Sequence, residues 1–317
     1  MIRQASSRIT CMLVVSLCQM LAAHAQIEPG KLKVSIPVLV ELSSGEAVPG
    51  LSAANFSLRD NGVEQQVQLN STAATKPIAL MIVIQTGHDS AKALAQIARL
   101  SELFDSVLVN PQDQVAVLTF DSGPQVIQGF TSDRESTANA LNSISKGNSH
   151  AALFDAMNMA IGYFRRAPTE DQKVIFLISG EHDHGSVGSD MNALISDASS
   201  SDVSIYSFSF RSGDGQLFGR LRSLNPLDMA TNAMRKNAGA ALAELTGGEF
   251  SRFNSEAGFE NCVERVANHI RNRYILTFEP SRSQPGFHTV QVSVNAPGTN
   301  VVGAREIYRN SDEIPRK

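Results

Sequence analysis

The chain has 317 residues, of which 42% are hydrophobic and 18% are charged, and its formal net charge is −4. This length is enough for one large or two modest domains with a sizeable core. A basic excess is absent, which argues against nucleic acid or an anionic membrane surface as a partner. The chain also has no Trp and only 6% aromatic residues, so it offers no obvious stacking platform for bases or sugars.

The first 25 residues have the pattern of an export signal. Two arginines form a charged n-region, residues 11–21 are apolar, and a small-x-small motif ends at Ala25, just before Gln26. We therefore predict cleavage near Ala25-Gln26 and export of the mature chain to the periplasm or the outside. The apolar stretch is shorter than the roughly 18 residues that a transmembrane helix needs, as is every later one, so we expect no transmembrane segment in the mature chain.

Residues 26–73 predict β-structure ahead of the main domain. Apolar residues alternate with their neighbours from Val34 to Val40, which is typical of a strand. Further on, Asp60-Asn61-Gly62 is a strong hairpin signal between the β-like stretches 56–59 and 67–69. We expect these strands to need partners elsewhere in the chain.

Residues 74–273 alternate between strand and helix patterns. Strands are predicted, in chain order, at residues 78–84, 115–120, 126–130, 173–179, 203–210 and 250–253. Helices are predicted at residues 94–107, 133–144, 151–164, 190–199, 230–245 and 256–271. The run 78–84 is uninterruptedly apolar, which is the pattern of a strand covered on both faces. The alternation predicts an α/β domain with a doubly wound, mostly parallel, six-stranded, Rossmann-like sheet and one antiparallel strand.

Residues 274–317 predict β-structure again, with three segments at 274–278, 288–294 and 301–308. Strands at both ends of the chain cannot stay unpaired. We therefore expect the N- and C-terminal strands to meet in one small β-sandwich, with the α/β domain inserted between them.

The candidate site lies directly after the central strand. In open α/β sheets, ligands bind at the carboxyl ends of the strands. Here the apolar strand is followed by the polar sequence Gln85, Thr86, Gly87, His88, Asp89 and Ser90. We expect this loop to lie at the functional edge of the sheet.

This order of elements, with an antiparallel hairpin after the first helix, resembles the von Willebrand factor type A domain. More narrowly, the chain resembles exported bacterial proteins described as von Willebrand factor A-related, Acidobacterial type. The matching stretches are VPGL at 48–51, NFSL at 55–58, DNG at 60–62, ALFDA at 152–156, LIS at 177–179, DHGS at 183–186, GAR at 303–305 and Tyr308. The resemblance covers nearly the whole mature chain and implies a protein that binds another protein.

The resemblance also implies a metal-ion-dependent adhesion site, which holds a divalent ion, most often magnesium. The family places Asp-x-Ser-x-Ser in the first loop, Thr in a second and Asp in a third. The corresponding residues here are Gln85, Gly87, Asp89, Ala151 and Gly180. Three of them have no side-chain oxygen and only Asp89 has a carboxylate, whereas a hard cation needs oxygen ligands that include carboxylates. We therefore expect a degenerate site and no cofactor.

The altered loops then become the predicted surface for a protein partner of unknown identity. The predicted binding residues are Gln85, Thr86, Gly87, His88, Asp89, Ser90, His150, Ala151 and Gly180. Residues 211–227, rich in Gly, Ser and Arg, indicate a long surface loop that offers a further contact area.

An alternative is that the loops were rebuilt for a transition metal. Four of the seven histidines fall in the three loops, beside acidic residues. The alternative ligand set is His88, Asp89, His150, His182, Asp183 and His184. Imidazole with carboxylate suits Zn, Cu, Ni or Fe better than Mg. Such a site would allow metal-dependent hydrolysis, whereas the plainer explanation is that a polar rim collects solvated His and Asp.

We do not expect an enzyme. A nucleophile elbow, Gly-x-Ser-x-Gly, is absent from the sequence, and the glycine motifs lack the Lys-Ser or Lys-Thr of a phosphate loop. A third alternative is a purely structural component of an envelope assembly, which sequence alone does not separate from ligand recognition.

Overall fold

The computed structural model describes residues 33–70, 76–97, 100–166, 172–210, 226–281 and 284–310. The predicted export signal and residues 211–225 of the predicted surface loop lie outside the described residues. From Lys33 onward the chain forms one compact unit.

Strands and helices alternate in the middle of the chain, whereas its described ends contain strands. The strands are β1 (Val34–Leu42), β2 (Phe56–Asp60), β3 (Val63–Gln65), β4 (Gln68–Leu69), β5 (Ile78–Gln85), β6 (Gln114–Phe120), β7 (Pro124–Thr131), β8 (Gln172–Ser179), β9 (Ser204–Ser209), β10 (Phe250–Arg252), β11 (Tyr274–Phe278), β12 (Gly286–Val294), β13 (Thr299–Ala304) and β14 (Ile307–Asn310). The helices are α1 (Ala91–Gln96), α2 (Leu100–Val107), α3 (Arg134–Asn142), α4 (Leu153–Arg166), α5 (Met191–Ser200), α6 (Pro226–Lys236), α7 (Ala238–Thr246) and α8 (Glu256–Asn272).

The central sheet has six strands in the order β10-β9-β8-β5-β6-β7. All neighbours are parallel except β6 and β7, which pair antiparallel. Strand β5 lies inside the sheet, with Ile82 between Val117 of β6 and Phe176 of β8. Every residue of β5 is buried. The uninterrupted apolar run therefore predicted the correct strand, and the mostly parallel, doubly wound fold class is confirmed.

Helices cover both faces of this sheet. On one face Ala79, Met81 and Val83 of β5 share a core with apolar residues of α4, α5, α6 and α7. The alternate residues of the same strand, such as Leu80 and Ile82, share a second core with α1, α2 and α8. Because both faces are covered, the sheet exposes its ligand-accessible loops only at its edges. Within the described residues no helix is both long and apolar enough to span a bilayer.

The strands from the two ends of the chain form two more sheets. Their strand orders are β13-β1-β11-β4 and β14-β12-β2-β3, and within each the described pairs are antiparallel. Apolar residues of both sheets meet in one buried cluster, which includes Ile36 and Val38 of β1, Leu58 of β2 and Leu276 of β11. The predicted β-sandwich of N- and C-terminal strands is thus present. The exact boundaries 26–73, 74–273 and 274–317 stay a prediction.

The hairpin was predicted with the wrong partner strand. Strand β2 pairs with β3, so that Asp60 lies opposite Val63 across the turn. Residues 68–69 form β4 instead, which pairs with β11 in the other sheet. The reason is the two-residue turn Asn61-Gly62, in which both residues have positive φ (46° and 80°). Such a turn starts the return strand at once and leaves the following residues free to cross to the second sheet.

Three predicted segments are each divided in two. The predicted helix 94–107 is α1 and α2, and the predicted helix 230–245 is α6 and α7. At the second break the Asn237 side chain accepts a hydrogen bond from the Ala240 backbone N–H at 2.9 Å and begins α7. The predicted strand 301–308 is β13 and β14, which belong to different sheets. Apolar periodicity alone does not locate such breaks, because the core continues across them.

A buried polar cluster ties the two ends of the chain together inside the sandwich. The Asp60 carboxylate lies 2.8 Å from His288 Nδ1 and accepts a hydrogen bond from the Tyr308 hydroxyl at 3.0 Å. His288 Nε2 lies 2.7 Å from the carbonyl oxygen of Gln284. Burial, together with the charge of Asp60 and this hydrogen bond, raises the pKa of Tyr308, so its hydroxyl stays a donor. Asp60 thus connects β2 to β12 and β14.

We predict that Asp60→Ala lowers the free energy of unfolding by about 3 kcal/mol, because it leaves His288 and Tyr308 buried without their shared acceptor. Tyr308→Phe removes one donor and is expected to cost about 1 kcal/mol. Urea denaturation followed by circular dichroism measures both. An equal loss of unfolding free energy in the two variants would contradict the central role of the Asp60 carboxylate in this cluster.

Candidate functional site

Three loops meet at the carboxyl edge of the central sheet. The first loop, residues 86–90, follows β5. The second loop, residues 143–152, connects α3 to α4, and the third loop, residues 180–190, connects β8 to α5. The predicted binding residues therefore lie on neighbouring segments of one edge.

Backbone hydrogen bonds join the first loop to the second. The His88 N–H donates to the carbonyl oxygen of Asn148 at 3.0 Å, and the Gly147 N–H donates to that of Thr86 at 2.8 Å. The Thr86 N–H in turn donates to the carbonyl oxygen of Phe120, at the end of β6, at 2.8 Å. Ser90 is fully buried, and its hydroxyl donates to the carbonyl oxygen of Thr86 at 2.6 Å. The first loop is thus held closed against its neighbours.

The position of Gly87 leaves no room for a side chain. A Cβ atom built there would collide with the carbonyl oxygen of His150, and it would lie 2.8 Å from Asp121 Cβ and 2.9 Å from the Asn148 carbonyl oxygen. Two of these obstacles are backbone atoms, which cannot rotate away. The Ser that the family uses at this position to reach a metal therefore does not fit this loop.

Gln85, which the resemblance predicts at the position of the first aspartate, joins two loops through its side chain. Its side chain is buried, with Oε1 accepting a hydrogen bond from the Gly180 N–H at 2.9 Å. Its Nε2 donates to the carbonyl oxygen of Gly87 at 3.1 Å. A carboxylate could not make the second bond, since an ionised carboxylate has no donor. The amide thus joins the first loop to the third by contacts that an aspartate would break.

The second and third loops are joined by a short backbone bridge. The Ala151 N–H donates to the His184 carbonyl oxygen at 2.9 Å, and the His184 N–H donates to the Ala151 carbonyl oxygen at 2.8 Å. Ala151 is completely buried. The residue at the threonine position therefore contributes its backbone, and its methyl group packs in the core.

The third loop is anchored on the first turn of α4. The Asp183 carboxylate accepts hydrogen bonds from the Phe154 N–H at 3.1 Å and from the Ser186 hydroxyl at 2.5 Å. Conversely, the carboxylate of Asp155, in the first turn of α4, accepts a hydrogen bond from the Val187 N–H of the third loop at 3.1 Å. The orphan N–H groups at a helix N-terminus favour such acceptors. Asp183, predicted as a metal ligand, is thus engaged at the start of the helix.

Two carboxylates at this edge have lowered pKa values. Burial alone would raise the pKa of Asp155, but hydrogen bonds from Ser189 and from the N–H groups of Val187 and Gly188 outweigh it. In the same way, burial would raise the pKa of Asp121, but N–H donors from Asn148 and other neighbours lower it. Both carboxylates are therefore held ionised as acceptors for loop backbone.

The histidines form a stacked surface group. The rings of His88 and His184 are parallel, with 4.2 Å between their centroids and 4° between their planes. His182 meets His184 edge-on at 6.2 Å. A ring nitrogen binds a metal along its lone pair, in the plane of the ring, at about 2.0–2.1 Å. Two parallel rings aim these lone pairs along separate planes, so the stacked pair does not chelate one ion.

Two other members of the predicted metal set, His150 and Asp89, are exposed. His150 is exposed, and its backbone N–H donates to Asn148 Oδ1 at 2.9 Å. The Asp89 side chain is 72% exposed and lies 3.6 Å from His88 Nδ1. Among the described residues, no group of three or more His, Cys, Asp or Glu is placed to hold a metal ion. The residues present do not provide the oxygen ligands that a magnesium ion needs. Nor does their arrangement bring the six predicted transition-metal ligands together around one ion.

Some residues of this edge were missed by the sequence argument. Asp121 binds the second loop through the Asn148 N–H at 3.2 Å, and Asn148 Nδ2 donates to the Ser122 hydroxyl at 2.9 Å. A signal was present, because Asp121 is the first residue after the predicted strand 115–120, at the same edge as Gln85. Asn148 has no comparable signal, since it lies inside a polar loop.

The fold is an open α/β domain with three interlocked loops at the carboxyl edge of its sheet. A family model described as the von Willebrand factor type A domain matches residues 80–182, the segment from β5 to the third loop. Residues 80–182 are therefore identified as a von Willebrand factor type A domain. The narrower Acidobacterial resemblance stays a prediction.

Solved structures similar to the chain share little sequence with it. One is an aerotolerance-related membrane protein from Bacteroides fragilis, with 19% identity over 60% of this chain and 98% of that chain, and a TM-score of 0.43. Another is a von Willebrand factor type A protein from Catenulispora acidiphila, with 9% identity over 90% and 75%, and a TM-score of 0.48. A third is the von Willebrand factor domain of the pilus tip protein Mfa5 from Porphyromonas gingivalis, with 11% identity over 62% and 95%, and a TM-score of 0.41. The curated protein sequences gave no match.

We predict that Gly87→Ser destabilises the chain by about 1–3 kcal/mol, because the added side chain must displace the backbone of the second loop. Gly123→Ser is the matched control, since a Cβ atom there meets nothing within 4 Å. Thermal denaturation measures both variants. If Gly87→Ser were as stable as the control, the closed packing of the first loop would be refuted.

We predict that the stabilisation by Asp155 depends on pH. Its pKa is lower in the folded protein than the ordinary value of 3.8, so its contribution is present above that value and is lost as the pH falls through the folded pKa. The Tm difference between the unmodified chain and Asp155→Asn should therefore be largest at about pH 5–7 and shrink toward pH 3. Asp89→Asn, an exposed carboxylate of the first loop, is the control. A difference that grows on acidification would contradict the assignment.

Proposed function

We propose that the chain binds a protein partner through the rim formed by its three loops, without a metal ion between the partners. The type A domain presents these loops on a rigid sheet, and loops on rigid scaffolds commonly carry recognition. The observation that carries the proposal is the interlocking of the loops through Gln85, Gly87 and the Ala151–His184 bridge. A rim fixed in advance loses little conformational entropy when it binds.

The exposed side chains of this rim suit a protein surface. Val187 is 94% exposed on the third loop, and His182 and His184 are exposed beside it. The stacked imidazoles add flat, partly apolar area with polar edges. Such a mixture of apolar contact and hydrogen-bonding groups is typical of non-obligate interfaces.

Catalysis is not part of the proposal. The Asp121 and Asp183 carboxylates accept hydrogen bonds from loop backbone and from the start of α4, and Asp155 Oδ2 accepts one from the Val187 N–H. Glu181, next to the histidines, accepts a hydrogen bond from Arg252 Nε at 2.8 Å. These contacts give the carboxylates structural roles.

We further propose that the chain is exported after cleavage near Ala25-Gln26, as its first 25 residues predict.

The transition-metal alternative rests on the grouping of His88, His182 and His184. If it is correct, zinc, copper or nickel should bind a chelator-treated sample with one-to-one stoichiometry in calorimetry, and His182→Ala with His184→Ala should abolish the binding. If the proposed function is correct, titration with these metals should give only weak, non-stoichiometric heats, and the double variant should change them little.

We predict that partner binding depends on the third loop and does not depend on a divalent ion. The partner should be captured by cross-linking in an extract of the source organism, and the complex should persist in EDTA. Val187→Asp places a charge at the centre of the proposed contact and should weaken binding by about tenfold or more, as truncation or disruption of a hot spot does.

Val109→Asp is the matched control, because Val109 is 65% exposed and lies just before β6, at the opposite edge of the sheet. The control should bind as the unmodified chain does. A complex that is lost in EDTA and restored by magnesium would contradict the metal-free account, and equal binding by both valine variants would contradict the location.

A further inference from the structure

A second candidate site lies where the α/β domain meets the β-sandwich. A cavity of about 460 Å³ is lined there by Glu41 and Gly303 of the sandwich strands and by Tyr206, Glu249, His269 and Arg273 of the α/β domain. Its lining includes none of the residues of the three loops. Its volume lies within the range of about 300–1,000 Å³ that is usual for small-molecule sites.

The acidic groups of this cavity already have cationic or hydrogen-bonding partners. His269 contacts both of them, with Nε2 at 3.0 Å from Glu41 and Nδ1 at 2.6 Å from Glu249. Arg265 Nε lies 2.9 Å from the other oxygen of Glu249. Burial would raise the pKa of Glu249, but the hydrogen bond with His269 and the charge of Arg265 lower it. These carboxylates are therefore not available to neutralise another cation.

Arg273 is a buried cation without such a partner. Its side chain donates from one terminal nitrogen to the hydroxyls of Ser204 at 2.8 Å and Tyr206 at 3.1 Å, and both acceptors are neutral. Its Nε is buried and makes no hydrogen bond, and within the described part of the chain no carboxylate forms an ion pair with it. A guanidinium has five N–H donors, and burying its charge without a counter-charge is costly.

A second buried guanidinium increases this excess of positive charge. Arg305 is 5% exposed, its Nε makes no hydrogen bond, and its backbone N adjoins Gly247, which lines the cavity. Burial lowers the pKa of Arg305 to about 10, with Asp202 opposing the shift and Arg273 adding to it. The Asp202 carboxylate is bonded through both oxygens to Lys173 Nζ, at 3.1 and 2.9 Å. With this pKa, Arg305 is charged at neutral pH.

We propose that this cavity binds a small ligand that carries an oxyanion, a carboxylate or a phosphate, on the free donors of Arg273, with Arg305 adding positive potential. The planar fork of a guanidinium matches both kinds of oxyanion with two parallel hydrogen bonds. The ligand would supply the counter-charge that the chain itself does not. This inference is independent of the proposed function of the loops.

The test is calorimetric titration of the full chain with two probes, inorganic phosphate and succinate, each against sodium chloride of equal ionic strength. We expect saturable binding of at least one probe and a higher Tm in its presence, and the stronger probe identifies the oxyanion. Arg273→Gln should weaken the binding by about tenfold or more, because it removes the charged donors. Arg235→Gln, on the exposed side of α6, should bind as the unmodified chain does.

A second variant keeps the test decisive if Arg273→Gln does not fold. Gly303 lines the cavity, and a Cβ atom there meets only Leu39 Cβ, at 3.7 Å. Gly303→Leu should therefore fold, fill part of the cavity and weaken binding while Arg273 stays in place. The proposal is overturned if neither probe binds beyond the chloride control, or if the folded variants bind as strongly as the unmodified chain.

Discussion

The close approach of Gly87 to the carbonyl of His150 is the constraint on which the carboxyl edge of this domain depends. It brings the first and second loops into backbone contact and removes the space for a side chain at that position. The amide of Gln85 and the backbone bridge of Ala151 then join the third loop to the other two. The departures from the metal-binding pattern at Gln85, Gly87, Ala151 and Gly180 are thus also contacts in the closed edge, so these four substitutions are mutually consistent.

A consequence is that restoring one ligand of the family pattern should not restore a metal site. An aspartate in place of Gln85 would lose the donor to the Gly87 carbonyl, and a serine in place of Gly87 would meet backbone. In the family's arrangement, oxygen ligands surround a cation, whereas here hydrogen bonds between loops fill the same region. The proposed binding surface is therefore made by loop packing, with exposed groups such as Val187 and His182 at its rim.

The sequence predicted those parts of the architecture in which the burial of a segment determines which residue types it contains. The all-apolar run from Ile78 to Ile84 has the length and composition of a strand covered on both faces, and the terminal strands needed partners. The misplaced hairpin partner and the divided helices depended on local turn and cap geometry, which apolar periodicity does not record. At the site, the sequence shows that Gly87 and Ala151 lack side-chain oxygens, but it does not show why a side chain is excluded at Gly87. The reason is the backbone of the second loop, which is distant in sequence and which no side-chain pattern specifies.

The central claim is that these loops are complete without a metal. Elemental mass spectrometry of the chain, purified natively and without a histidine tag, tests it most directly. The account predicts that magnesium, calcium, zinc, copper, nickel and iron are all well below one equivalent per chain. One equivalent of magnesium would contradict it, since an ion would then occupy an edge in which Gly87 and Gln85 leave it neither space nor charge.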